Sequence, residues 1–149
     1  MPTRIRLEQC DCNTEIIIRT ADHDEGNRLK ISLEAFLAKD ELSLTLAGKE
    51  YFIKTDDILF IQTDINGLSV HTADSVFESK LTLSALLDLL PKRFLRVSKS
   101  CIINMKNVFS IKRELTGGGE VEFYDTEKKA YVSRKYYGEF YRSIKEMRL

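Results

Sequence analysis

Apolar residues along the chain recur mostly at the two-residue spacing of half-buried strands, interrupted by three stretches at helical spacing. Leu42, Leu44 and Leu46 alternate with polar residues, and Gly48 marks a turn before Tyr51-Phe52-Ile53. Ile58-Leu59-Phe60-Ile61 is uninterrupted, which predicts a strand covered on both faces. Asn66-Gly67, two residues that tolerate positive φ, predict a hairpin joining that strand to Leu68-Ser69-Val70-His71-Thr72. Asp74-Ser75 turns into Val76-Phe77-Glu78-Ser79-Lys80. Strands are predicted again at Leu95-Arg96-Val97, Val108-Phe109-Ser110-Ile111, Val121-Glu122-Phe123-Tyr124 and Ala130-Tyr131-Val132, with Thr116-Gly117-Gly118-Gly119 as a hairpin loop.

Helical spacing is clearest at Leu83, Leu86, Leu87 and Leu90, behind a candidate N-cap at Thr82 and ahead of Pro91. A terminal helix is predicted over residues 137–147, with Tyr137, Phe140, Ile144 and Met147 on one side. Near the start, Ile5-Arg6-Leu7 and Glu15-Ile16-Ile17-Ile18-Arg19 read as short strands. A polar turn around residues 22–26 follows, then a helix carrying Leu29, Leu33, Phe36 and Leu37. The pattern divides the chain into a strand–strand–helix unit, residues 1–40, and a mainly β domain with a few helices, residues 41–149. The first unit is too short for a receiver domain.

Charge changes this picture. The 23 lysines and arginines balance 23 aspartates and glutamates, so net charge is zero. From residue 91 onward, however, 14 basic residues face 7 acidic ones (+7), leaving 9 against 16 (−7) in the first 90. A basic half beside an acidic half suits phosphate binding on one side and another partner on the other. No apolar run approaches the ~18 residues of a membrane span, and no charged-then-apolar leader opens the chain, so a cytoplasmic location is expected. Cys10, Cys12 and Cys101 are an odd number, and Cys10-Asp11-Cys12 has no second pair to complete a zinc site. No nucleophile, base and oxyanion donors assemble around His23 or His71, so neither an enzyme nor a cofactor is expected.

Two stretches set small hydroxyl residues and cations against β-prone apolar residues. They are Phe94-Leu95-Arg96-Val97-Ser98-Lys99-Ser100-Cys101-Ile102-Ile103-Asn104 and Val132-Ser133-Arg134-Lys135-Tyr136. A cation beside a serine at a strand end fills a core poorly but can be aimed outward from a rigid support. With Asp57-Ile58-Leu59-Phe60-Ile61-Gln62, Val70-His71-Thr72 and the leucine-rich helix ending at Pro91, these stretches resemble, in order, the LytTR DNA-binding domain. The resemblance covers residues 42–144.

That resemblance implies an elongated, multi-sheet β domain that binds duplex DNA through loops at strand ends, usually as a homodimer on two repeated sites. It implies base contacts by Arg134, Lys99 and Asn66 in major grooves. Arginine suits a bidentate bond to guanine, and lysine is a looser point donor. Arg96, Ser100, Ser133 and Lys135 are the candidate phosphate contacts, which position without reading sequence. The family motif Arg-Val-His-Arg-Ser reads Arg96-Val97-Ser98-Lys99-Ser100 here, so any histidine-dependent contact is missing. Asn104 matches a family asparagine and reads as a structural turn residue. His71 reads as a neutral strand residue, and the tyrosines as core or interface.

The resulting expectation is a sequence-specific transcriptional regulator of bacterial type, without a receiver, whose residues 1–40 provide dimer contacts or a signal input. Small family members of this shape are often encoded beside a small membrane protein, a possible regulatory partner. The alternative is a protein-interaction or anti-regulator module that kept the fold and lost sequence reading, which Ser98 and Lys99 in place of His-Arg would suit.

Overall fold

The computed structural model describes residues 6, 9, 15–37 and 40–148, and the chain divides into two compact units, 1–37 and 38–149. In the first unit, helix α1 (His23–Leu37) starts earlier than the hydrophobic spacing suggests. The Asp22 carboxylate accepts from the amides of Asp24 at 2.9 Å and Glu25 at 3.4 Å, a side-chain N-cap. Residues 22–26, read as a polar turn, are therefore the cap and first turn of the helix. Residues 15–20 carry no strand. The expected strand at Ile5-Arg6-Leu7 lies, apart from Arg6, outside the described residues, as do Cys10 and Cys12.

The second unit is mainly β. A seven-stranded antiparallel sheet contains β1 (Glu41–Leu46), β2 (Lys49–Lys54), β3 (Phe60–Asp64), β4 (Gly67–His71), β5 (Val76–Ser79), β6 (Phe94–Ser98) and β7 (Cys101–Asn104). Its order is β2-β1-β5-β4-β3-β7-β6. Helix α2 (Leu83–Leu89) interrupts it, with the Thr82 hydroxyl accepting from Ala85 N at 3.1 Å as the N-cap. A three-stranded sheet of β8 (Val108–Arg113), β9 (Gly119–Phe123) and β10 (Lys129–Val132) follows, then helix α3 (Arg134–Arg148).

Two cores flank the larger sheet, and strand periodicity decides which residue enters which. Phe60, Cys101, Ile103 and Val97 join Val108, Val121, Phe123, Phe140 and Ile144 under the smaller sheet and α3. Their strand neighbours Ile61, Ile102 and Phe94 join Leu42, Leu44, Val70, Leu83 and Leu86 on the α2 side. A strand buried on both faces reads as a continuous apolar run, which is why Ile58-Leu59-Phe60-Ile61 and Cys101-Ile102-Ile103 do not alternate. Each such aliphatic side chain stabilises the fold by roughly 1.5–3 kcal/mol on burial.

One buried polar residue fixes the β7 corner. Asn104 is 0% exposed; its Nδ2 donates to Ile58 O at 2.9 Å and Thr55 O at 3.4 Å, and its Oδ1 accepts from Lys106 N at 3.1 Å.

Candidate nucleic-acid interface

Turns and strand ends that are distant in sequence form one rim of the β domain. Backbone hydrogen bonds sew it together. Thr63 N, near the end of β3, donates to Ser100 O in the β6–β7 turn at 2.9 Å. Ser133 N, after β10, donates to Val97 O on β6 at 2.9 Å. Arg113 at the end of β8 pairs with Gly119, which pairs with Val132. The rim thus carries the Asn66 hairpin, the Lys99 turn and the Arg134 helix start side by side.

The β3–β4 hairpin differs from its expected form. Asp64 pairs with Gly67, so the two loop residues are Ile65 and Asn66. Gly67 has φ +133°, whereas Asn66 does not have positive φ. A Cβ on Gly67 would stand 2.7 Å from the Ser79 carbonyl oxygen, so glycine permits the close approach of β5. The Asp64 carboxylate accepts from Ile65 N at 2.6 Å and from the Ser69 hydroxyl at 2.9 Å. Those two bonds, the amide first, hold its pKa below the ordinary carboxylate value. Asn66 is exposed at the tip.

Lys99 and Ser100 form the β6–β7 turn, and both are exposed. Arg96 braces it: Nε donates to Ser98 O at 3.2 Å, Nη2 to Lys99 O at 2.8 Å and Nη1 to the Ser84 hydroxyl on α2 at 3.3 Å. Expected as a phosphate contact, Arg96 thus has its guanidinium spread over the turn's carbonyls. The Ser98 hydroxyl accepts from Ser100 N at 3.2 Å, so the serine at the family's histidine position is a turn brace here.

Arg134 opens α3 three residues before the expected helix start, and Lys135 follows in the same turn. Both are exposed, and the Lys135 ammonium lies 5.7 Å from the Tyr136 ring centre. Ser133 precedes the helix, half-buried, with its carbonyl accepting from Tyr136 N at 3.0 Å. The arginine stem rests on the triple glycine. A Cβ on Gly117 would lie 2.7 Å from Arg134 Cγ; one on Gly118, 2.5 Å from Val132 O; one on Gly119, 2.6 Å from Tyr137 Cε2. Gly117 also has φ +97°. Read from sequence as a hairpin loop, the glycines are also the seat against which Arg134 and Tyr137 fit.

Arg113 is the residue that sequence reasoning missed. Its guanidinium stacks on the Tyr137 ring at 5.1 Å, beside the glycine loop. The only sequence signal was the basic pair Lys112-Arg113 directly before that loop. Among the described residues, no hydrogen bond or ion pair holds the side chains of Asn66, Lys99, Arg113, Arg134 or Lys135.

Elsewhere the titratable groups serve the fold. Burial pushes the Cys101 thiol up to about 12, far from nucleophilic character. Burial, with the Lys128 ammonium beside it, pushes His71 down to about 4, and its neutral ring stacks on Phe60 at 4.2 Å. Among the described residues, no group of histidine, cysteine and acidic side chains could hold a metal, and no helix is long and apolar enough to cross a membrane.

The LytTr DNA-binding domain model matches residues 48–145. A solved LytTr DNA-binding domain from Bacillus cereus has TM-score 0.64 to this chain at 18% identity, covering 72% of this chain and 97% of that one. At that identity the likeness shows the fold. A search of curated proteins gives no match.

Proposed function

Because the chain belongs to the LytTR DNA-binding domain family, we propose that it is a sequence-specific transcriptional regulator that grips duplex DNA with this rim. The observation that carries the reading is the rim itself: Asn66, Lys99 and Arg134 on braced supports, with no side-chain partner among the described residues, and Arg113 stacked on Tyr137 beside them. A braced backbone confines the ordering cost of meeting an anion to the side chain itself, because the turn that carries the cation is already fixed. Arg134, Lys99 and Asn66 are assigned to base edges in major grooves. Ser100, Ser133 and Lys135 are assigned to phosphates, helped by the positive end of the α3 dipole. Arg96 is reassigned from phosphate contact to positioning of the Lys99 turn.

Two copies on repeated half-sites complete the reading, with residues 1–40 supplying self-association. Ile16, Ile17, Leu29 and Ile31 are exposed on that first unit, more apolar surface than so small a unit normally leaves in water. The protein would act in the cytoplasm, where DNA is, and a small membrane protein is a candidate partner for the first unit.

Duplex titration tests the reading. Two bound copies would engage about 6–10 phosphates, so affinity should fall by roughly 10³–10⁵ between about 50 and 200 mM salt. No binding at low salt, or a flat salt response, overturns it.

A further inference from the structure

The same hairpin that presents Asn66 also presents an isoleucine with no evident use in the fold. Ile65 is 97% exposed, the first residue of a two-residue loop. Loop positions of this kind usually carry Gly, Asn, Asp or Ser, whose side chains favour turns or bond to the backbone. A β-branched aliphatic residue supplies neither, and here it buries almost nothing. Yet its backbone is fixed on both sides, by the Asp64 carboxylate on Ile65 N at 2.6 Å and by Gly67 seated against the Ser79 carbonyl. The side chain therefore stands at the tip of a stiff support beside a candidate base-reading asparagine.

Resting on the duplex-DNA reading of this rim, we propose that Ile65 reads sequence by packing on the C5-methyl group of a thymine, next to the base contacted by Asn66. That methyl is the one apolar group on the major-groove edge of the four base pairs, and asparagine pairs best with adenine there. The hairpin would thus select a short A·T-containing step through one polar and one apolar contact. Leu115, at the β8–β9 tip, is also fully exposed, but the adjacent Glu114 carboxylate has no partner among the described residues and repels a phosphate backbone. The Asp64 carboxylate, by contrast, is turned into its own hairpin by two hydrogen bonds.

The test uses the full chain and a preferred duplex selected from a random pool. Each thymine is replaced in turn by deoxyuridine, which pairs identically and lacks only the methyl. Removing one buried methyl contact should weaken binding about fourfold. The expected result is one sensitive thymine per half-site for the intact chain, no sensitivity at that position for Ile65→Ala, and an intermediate effect for Ile65→Val. Because Ile65 is exposed, neither variant should change thermal stability. Specific binding that no deoxyuridine weakens, or equal weakening in Ile65→Ala, overturns this inference and leaves the DNA reading standing. Failure to select any preferred duplex overturns both.

Discussion

The two ends of the same strands treat their polar side chains in opposite ways. At the start of β6, Arg93 donates to the Thr55 hydroxyl and pairs with Asp56, both at 2.8 Å; at its finish, Lys99 has no partner among the described residues. At the finish of α3, Arg148 donates to Val108 O at 2.6 Å and Met105 O at 3.0 Å; at its start, Arg134 has none. Lys128, before β10, donates to Thr72 O and Ser75 O at 2.9 Å, and Lys106 reaches Asp56 at 3.2 Å. One end spends its cations on carbonyls and a carboxylate and is closed. The other uses Arg96 to brace a turn and leaves Lys99 and Arg134 available. Total charge cannot express this difference, because both ends are rich in lysine and arginine.

The two asparagines break the comparison most strongly if it is wrong. Asn104→Ala strips hydrogen bonds from a buried corner of the closed end and should cost about 3 kcal/mol in urea unfolding. Asn66→Ala, at the exposed tip, should stay within about 0.5 kcal/mol of the native chain. Comparable losses would mean that the open rim is also structural.

Within the open rim, Arg134→Ala should reduce the preference for a selected duplex over a scrambled one by roughly 1–3 kcal/mol. Lys135→Ala should weaken both duplexes by about the same factor. Equal losses for Arg134→Ala would make it a phosphate contact. Gly117→Ala should imitate Arg134→Ala more mildly, by about tenfold or less in the same competition, because the new Cβ displaces the arginine stem. Unchanged preference would show that the glycine seat does not set the Arg134 pose.

The last effect concerns pH at the closed end. His71 is held down to about 4 from an ordinary 6.5, so as pH falls the unfolded chain takes up the proton first. The stability it contributes is complete above 6.5 and is lost progressively down to about 4. Thermal unfolding followed across that window should show a shallower decline for His71→Gln than for the native chain. Identical slopes would assign the pH dependence to carboxylates alone.

Much of this was legible from local pattern. Thr82 as an N-cap, the uninterrupted strand at Ile58-Leu59-Phe60-Ile61 and the hairpin near Asn66 follow from short-range sterics and hydrogen bonding, which neighbouring residues determine by themselves. Boundaries were less legible where a polar side chain caps a helix. Asp22 moved the α1 start forward, and hydrophobic spacing saw nothing before Tyr137 because Arg134 and Lys135 are exposed in the first turn of α3.

The sequence by itself determined the fold class, the order of the strands along the chain, and which segments could present cations. Side-chain spacing and turn chemistry are properties of a few consecutive residues. Only the tertiary structure decided which cations are available. Arg96 and Lys99 are three residues apart, yet one is bound to its own turn and to α2 while the other stays open. The triple glycine makes the same point, since its reasons for lacking side chains are Arg134, the Val132 carbonyl and Tyr137, brought against it by strand pairing. Whether a polar group is satisfied depends on partners 40 or 46 residues away, as Arg148 on Val108 O and Asn104 on Ile58 O illustrate, and no local pattern encodes those meetings.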